Sequence, residues 1–438
     1  MKKTRKLVSG LLSLMLIVGL AGCGTTSSAP TEATAATKEE SAGTDFTVIR
    51  FWNGFTGKDG EAMDVIVDNF NNELGDEYHV KVVVDKIPWD TLFTKITTTS
   101  SNLRSAPHIV AMSASRIAGM REKGVLTPLT GIEEFLGAHE DEYIGAAWRG
   151  GLDEDGVRYG FPIDVHPTAM YYNKDLISED ELPTTWDEFF KVCEEKTGDG
   201  VYGWAVPSMY SVTKDLFLNM LYTSGGSMFD KDFHPVYNSE LGVTAITKLS
   251  EAVLGDNPIS PKNVGAGGDQ TLFVQGKSVF YFDGPWVLNS FGLLTNPNSN
   301  IGVAPCPSST GEGDMNFAGS HQFTLMANTV TDEHTRELCY VFMRYVNEHS
   351  YEWALGGQVP ALKSLHETDE YKALSALQPF TQMAYHSTLG EIEYEYWYEC
   401  YNMMGVAVSN AIAGQYAPDE ALNVGVRDFE NWLIDETT

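Results

Sequence analysis

Apolar side chains recur along this chain at two periods, and the switching between them predicts an α/β fold. Positions 46–52 read as a strand and lead into a Gly-containing loop, 53–60. Met63, Ile66, Val67, Phe70 and Leu74 then fall on one helical face, and a strand follows at 80–84. This order puts the loop at the carboxyl end of a strand, where open α/β sheets bind ligands. The alternation continues with a helix over 92–103, a strand at 108–111, and a helix carrying Ile117 and Met120 that stops near Gly124. Helices follow at 216–222 and 243–254. A short helix at 271–275 then leads through a strand at 278–282 to Asp283-Gly-Pro-Trp286. Pro285 suits a first helical turn and Asp283 its cap, so Trp286 is predicted at a helix N-terminus beside a strand end. After a strand at 301–303, Leu338, Val341, Phe342 and Tyr345 give another helical face. The last hundred residues read as helices, with Pro418 at a start and Leu422, Val426, Phe429 and Leu433 along one side.

The stretch 159–186 breaks this rhythm. An apolar run ends at Pro162, the polar group Asp164, His166 and Pro167 interrupts it, and a second β-rich run, 168–172, follows at once. Two extended segments with a polar break suggest a crossing point. The break is more polar than a buried strand tolerates, so it is predicted at a cavity edge where Asp164 and His166 reach water or a ligand. Thr185 with Glu188 three positions on forms a capping-box pattern ahead of Phe189 and Val192.

The N-terminus belongs to a different class of segment. Lys2, Lys3, Arg5 and Lys6 precede an apolar run over 7–20 that is too short to read first as a membrane span, which is the pattern of a secretory signal at 1–22. Leu20-Ala-Gly-Cys23 closes it and resembles the bacterial lipobox, implying a lipid on Cys23. Residues 24–44, rich in Ser, Thr, Ala and Gly, have the composition of a flexible tether. The remaining chain is long enough for two domains, and 43% hydrophobic content supplies packed cores. The formal charge is −31, and loss of the four basic leader residues takes it to −35. That excludes nucleic acid as a partner, and it would repel an anionic bilayer, favouring a tethered body over an adsorbed one. Cys193, Cys306, Cys339 and Cys400 are widely spaced without C-x-x-C, so neither a metal site nor a disulfide framework is signalled. Cys339 reads as core. The loop 53–60 fails the phosphate-loop pattern because Asp59 follows Lys58, and no nucleotide or other cofactor is indicated.

Several segments together resemble a known family. FWNGFTGKDG, SAPHIVAMSASRIAGMREKGVLTPL, YGFPIDVHPTAMYYNKDL with TWDEF, FVQGKSVFYFDGPW, IGVAPCPS and GGQVPALKS agree in order and spacing with the extracellular solute-binding proteins of bacterial ABC importers. The branch is the carbohydrate-binding one, family 1, that includes maltose-binding protein. The resemblance implies a two-lobed periplasmic-binding-protein-like fold of type II, with a ligand cleft between lobes joined by crossing hinge strands. By position, one lobe would comprise 45–160 plus 303–348, the other 165–300 plus 352–438, and 159–172 the first crossing. Trp286 matches the family's stacking tryptophan. Asp164 and His166 fall where the family places polar contacts to hydroxyls. Asn53 and Lys58 lie in the first loop, Arg116 matches a basic residue after the third strand, and Tyr210 follows a strand containing Trp204. Ser115 stands where maltose-binding protein has an acidic residue, so maltose itself is not implied. Tyr396, Trp397 and Tyr401 lie where a second stacking aromatic is implied, and local spacing does not choose among them.

The function implied is capture of a mono- or oligosaccharide outside the cell, by a monomer anchored through its lipid, for delivery to an ABC permease. It is not an enzyme. A surface-anchored carbohydrate-active hydrolase would share the leader, acidity and aromatic content, but the chain has no G-x-S-x-G and no H-E-x-x-H. A solute sensor without a transport role is the third reading.

Overall fold

The computed structural model of the protein describes residues 46–99, 105–207, 212–296, 298–311 and 315–438. The leader, Cys23, the 24–44 segment and Tyr210 lie outside the described residues. The first lobe is built on β1 (Thr47–Asn53), β2 (Val80–Lys86), β3 (Ile109–Ser113), β4 (Leu126–Thr127) and β5 (Phe161–Pro162). β1 runs parallel to both β2 and β3. Alternate side chains of β1 enter different cores, as the two-residue period of a strand requires. Ile49 and Phe51 meet Met63, Ile66, Val67 and Phe70 of the helix Lys58–Glu73, while Trp52 joins Leu92 and Ile96 of the helix Trp89–Thr99. Helices thus cover both faces, and the predicted helical stripe at Met63 to Phe70 is the buried one.

The polar break is itself a strand, β6 (Asp164–Pro167), and Asp164 on it has no exposed surface. The expectation of a cavity edge is therefore wrong for Asp164. The carboxylate is tolerated in the interior because donors converge on it, as described below. After β6 the chain builds a second sheet from β7 (Ala169–Asn173), β8 (Tyr202–Trp204), β9 (Ser278–Asp283) and β10 (Ile301–Ala304), in the order β10-β7-β9-β8. β7 and β9 are buried along their whole length. Because β10 pairs with β7 from Ile301↔Asn173 to Ala304↔Met170, residues 301–304 belong to this second sheet, and the return to the first lobe begins later than position 303.

The return is made through β11 (Asn316–Gly319), which pairs antiparallel with β6, and β12 (His321–Met326), which enters the first sheet between β3 and β4 and also pairs with β5. A later passage of the chain adds β13 (Val359–Pro360) to the other edge of β6, and β14 (Ser387–Thr388) lies parallel to β11. The segments that cross between lobes therefore hydrogen-bond to one another as a small third sheet, β13-β6-β11-β14. These short strands interrupt the run of helices predicted for the last hundred residues. The helices Glu333–Glu348 and Pro418–Thr437 bury the predicted stripes through Leu338, Val341, Phe342 and Tyr345, and through Leu422 and Phe429. The four cysteines after Cys23 are free and buried. No helix among the described residues is long and apolar enough to cross a membrane.

The capping box forms as the sequence predicts. Thr185 Oγ1 accepts from Glu188 N at 3.2 Å, and Glu188 Oε2 accepts from Thr185 N at 3.1 Å, at the start of the helix Trp186–Lys196. Losing such a cap costs about 1 kcal/mol. Thr185→Ala should lower stability by that amount in urea unfolding, and Thr185→Ser by clearly less.

Candidate functional site

Asp164 is the centre of the crossing region. Its Oδ1 accepts from His166 Nδ1 at 3.0 Å and from the backbone N of His321 at 2.9 Å. Its Oδ2 accepts from His321 Nδ1 at 2.9 Å and from Trp353 Nε1 at 3.0 Å. Its own carbonyl accepts from Ser320 Oγ at 2.7 Å. Burial alone would raise this carboxyl, but the electrostatic influence of His321 beside it and hydrogen bonds from both imidazoles reverse the sign and hold it well below the usual carboxylate range. Burial, followed by the neighbouring His321, pushes His166 down. Strand geometry explains the pairing, because Asp164 and His166 are two apart and so share a face of β6.

Aromatic rings continue outward from the imidazoles. The rings of His166 and His321 lie 4.2 Å apart, Trp89 stacks on His321 at 5.2 Å and 9°, and Trp286 meets His166 edge-on at 5.9 Å. Phe55 closes against His321 at 4.9 Å. Trp89 belongs to the first lobe and Trp286 to the second, and both are half-buried. Glycines admit these rings. A Cβ on Gly54 would lie 2.1 Å from the Trp89 ring, and one on Gly284 would lie 2.1 Å from the Trp286 ring. Trp286 sits in a single 3₁₀ turn, Pro285–Val287, whose N-cap is Gly284 and not Asp283. The Asp283 carboxylate turns inward instead, accepting from Gly284 N at 2.8 Å and from the Tyr281 hydroxyl.

The remaining predicted residues divide. Arg116 does face the other lobe: its guanidinium lies 4.2 Å from the Phe93 ring and 3.0 Å from the ring of Tyr398. Ser115 is beside it, its hydroxyl 2.9 Å from that of Ser113. Asn53 is wholly buried at the end of β1 and accepts from Phe55 N at 3.1 Å, a role in shaping the loop. Lys58 is exposed and pairs with Glu61 at 2.7 Å, with no contact to the cluster residues. Trp397 is 2% exposed and stacks against both Phe317 and Tyr401, so in that stretch the ring that meets the first lobe is Tyr398. His321, Trp89, Phe55, Trp353 and Tyr398 were not singled out from the sequence. Of these, only Trp89 carried a local signal, an indole directly after Pro88 at a helix start, and the predicted helix began too late to include it. A separate groove of about 470 Å³, lined by Val243, Thr247, Glu251, Leu254, Pro418 and Asp419, contains none of these residues. It has no aromatic wall, so the cluster at the crossing strands is the stronger candidate.

Burial pushes Asp283 up to about 7, only partly offset by its hydrogen bonds from Tyr281 and Gly284. A carboxyl whose folded pKa is raised contributes stability that is complete below its unfolded value and is lost as pH rises through the folded one. The window here is about pH 4 to 7, and the full span corresponds to about 4 kcal/mol. Asp283→Asn should flatten this decline when unfolding free energy is measured across that range; an unchanged slope would show that Asp283 is ionised in the folded protein.

Relatives share this architecture. The chain is similar to the galactooligosaccharide-binding protein of Bacillus subtilis (strain 168), 26% identical over 382 residues that cover 83% of this chain and 82% of the relative. It is also similar to the maltotriose-binding protein of Pyrococcus abyssi, 23% identical over 291 residues, 65% of this chain and 61% of that one. Among solved structures, the GacH receptor of Streptomyces glaucescens superposes with a TM-score of 0.74 at 19% identity, covering 89% of this chain and 98% of the receptor. The maltose-bound MalE3 of T. maritima gives 0.73 at 18% identity, covering 88% and 99%. At these identities the structures show the fold, which is that of the two-lobed binding proteins. The profile of the bacterial extracellular solute-binding proteins matches residues 66–379, well over half of the sequence, and the chain belongs to that family.

Proposed function

We propose that this protein captures a mono- or oligosaccharide outside the cell and delivers it to an ABC importer's permease, held to the membrane by a lipid on Cys23. The observation that carries the reading is the pair of half-buried indoles, Trp89 and Trp286, one from each lobe, flanking the polar edge of His166 and His321. An indole offers a broad apolar face to the C–H face of a sugar ring, and imidazole and guanidinium groups supply hydrogen bonds to its hydroxyls. Arg116, between Phe93 and Tyr398, lies where the lobes meet and suits the same role. The sugars in the names of the relatives above support the substrate class. The crossing sheet supplies a hinge, and closure of the lobes about it would give the permease a bound form distinct from the empty one. The protein acts by binding and turns nothing over; release of product from a glycan panel would favour the hydrolase reading instead.

Truncating an aromatic anchor costs about 2 kcal/mol, which is roughly thirty-fold in affinity. Trp286→Ala and Trp89→Ala should each weaken sugar binding by that factor in calorimetry while circular dichroism stays native. Wild-type affinity in both variants would place the sugar elsewhere. Small-angle scattering should also show a smaller radius of gyration at saturating sugar, and an identical profile with and without it would count against hinge closure.

A further inference from the structure

We propose that Asp164, His166 and His321 form a binding site for a divalent transition-metal ion of the zinc class. One donor atom from each of the three lies within 4.8 Å of the others. Asp164 Oδ1 is 3.0 Å from His166 Nδ1 and 3.1 Å from His321 Nδ1, and His321 Nδ1 is also 2.9 Å from Oδ2, so both imidazoles converge on this one carboxylate. Donors held by a single tetrahedral ion at about 2.0–2.1 Å stand about 3.3 Å from one another, close to the spacing already present. The rings would move outward from the carboxylate to admit the ion.

The donor set selects the class of ion. Two imidazole nitrogens and one carboxylate oxygen suit zinc and its transition-metal neighbours, whereas magnesium and calcium prefer all-oxygen shells. The outer shell is also in place. Trp353 Nε1 holds Asp164 Oδ2 at 3.0 Å and the His321 backbone N holds Oδ1 at 2.9 Å, and together they fix the carboxylate plane. Phe55 and Trp89 pack against His321 and form an apolar wall around the donors. The proton balance is simple. Asp164 is already ionised, and an imidazole takes the metal on Nδ1 with its one remaining proton on Nε2. The Nδ1–H···O bonds give way to nitrogen–metal and oxygen–metal bonds; a neutral imidazole moves its Nδ1 proton to Nε2, and a protonated one releases its Nδ1 proton to solvent. Three protein donors leave a fourth position for water or a ligand hydroxyl. The ion would tie β6 to β12, the crossing strand to the first-lobe sheet. The site stands whether or not the bound solute is a sugar.

The test uses the full chain without a histidine tag, purified in detergent and stripped with chelator. After dialysis against zinc chloride, mass spectrometry of the metal should find one equivalent retained. In calorimetry with zinc alone, His166→Gln and His321→Gln should each lower affinity at least ten-fold, while His234→Gln at an exposed surface pair changes nothing. X-ray absorption on the zinc-loaded wild type should show nitrogen and oxygen neighbours at about 2.0 Å with imidazole scattering. That measurement needs no variant and decides the matter if either substitution unfolds the protein. The proposal is overturned by absence of retained zinc, by zinc affinity unchanged in folded variants, or by a spectrum without imidazole. In those cases the cluster is a buried hydrogen-bonded group only. Sugar calorimetry on the same stripped protein reads the binding function separately.

Discussion

A buried carboxylate organises the middle of this molecule. Asp164 receives hydrogen bonds from His166 on its own strand, from His321 on β12 and from Trp353 on the helix Ser350–Leu355. An unpaired charge in that position would cost several kcal/mol, and removing one partner from a buried charge costs about 3–5 kcal/mol. The three segments can therefore approach in only a narrow range of arrangements. The consequence is a fixed register for the crossing sheet, in which Gly319 pairs with His166 and Pro360 with Asp164. Specificity of arrangement, more than net stability, is what such a buried polar centre supplies.

From that centre the two lobes follow by ordinary packing. β1 sends alternate residues into two cores, and β7 and β9 are buried throughout and mostly apolar. The rings that reach the boundary between lobes are seated over glycines, so backbone and indole come close enough to hold each ring in one orientation. Orientation matters for a platform, since a ring that pays little rotamer entropy keeps more of its contact energy.

Acidity works at two levels. On the surface, the net charge of −31 opposes adsorption to an anionic bilayer. In the second lobe, burial raises Asp215 to about 6 and Asp283 to about 7, and each is hydrogen-bonded to a tyrosine, Tyr401 and Tyr281. Asp283 ends the strand that leads to Trp286, so the loop carrying that indole rests on a carboxyl that is partly protonated near neutrality. Its hydrogen bonds from Tyr281 and Gly284 hold the start of that turn in place.

The α/β class, the stripe from Met63 to Phe70, the Thr185–Glu188 cap and the strand before Trp286 were legible because each depends on residues a few positions apart, where period and spacing are direct physical records of local structure. The ordered family segments carried the two-lobed fold in the same linear form. The centre of the site was not legible. Asp164 looked solvated because its donors, His321 and Trp353, lie more than 150 residues away, and a polar residue's burial depends on partners that one-dimensional pattern does not reveal. Lys58 and Trp397 failed for the mirror-image reason: a cation in a loop and an indole on a helix are each compatible with cleft, surface or core, and only packing against Glu61 or Phe317 chose between them. Tertiary structure alone decided which side chains meet across the crossing strands, because that choice rests on long-range pairing and not on the local period of the chain.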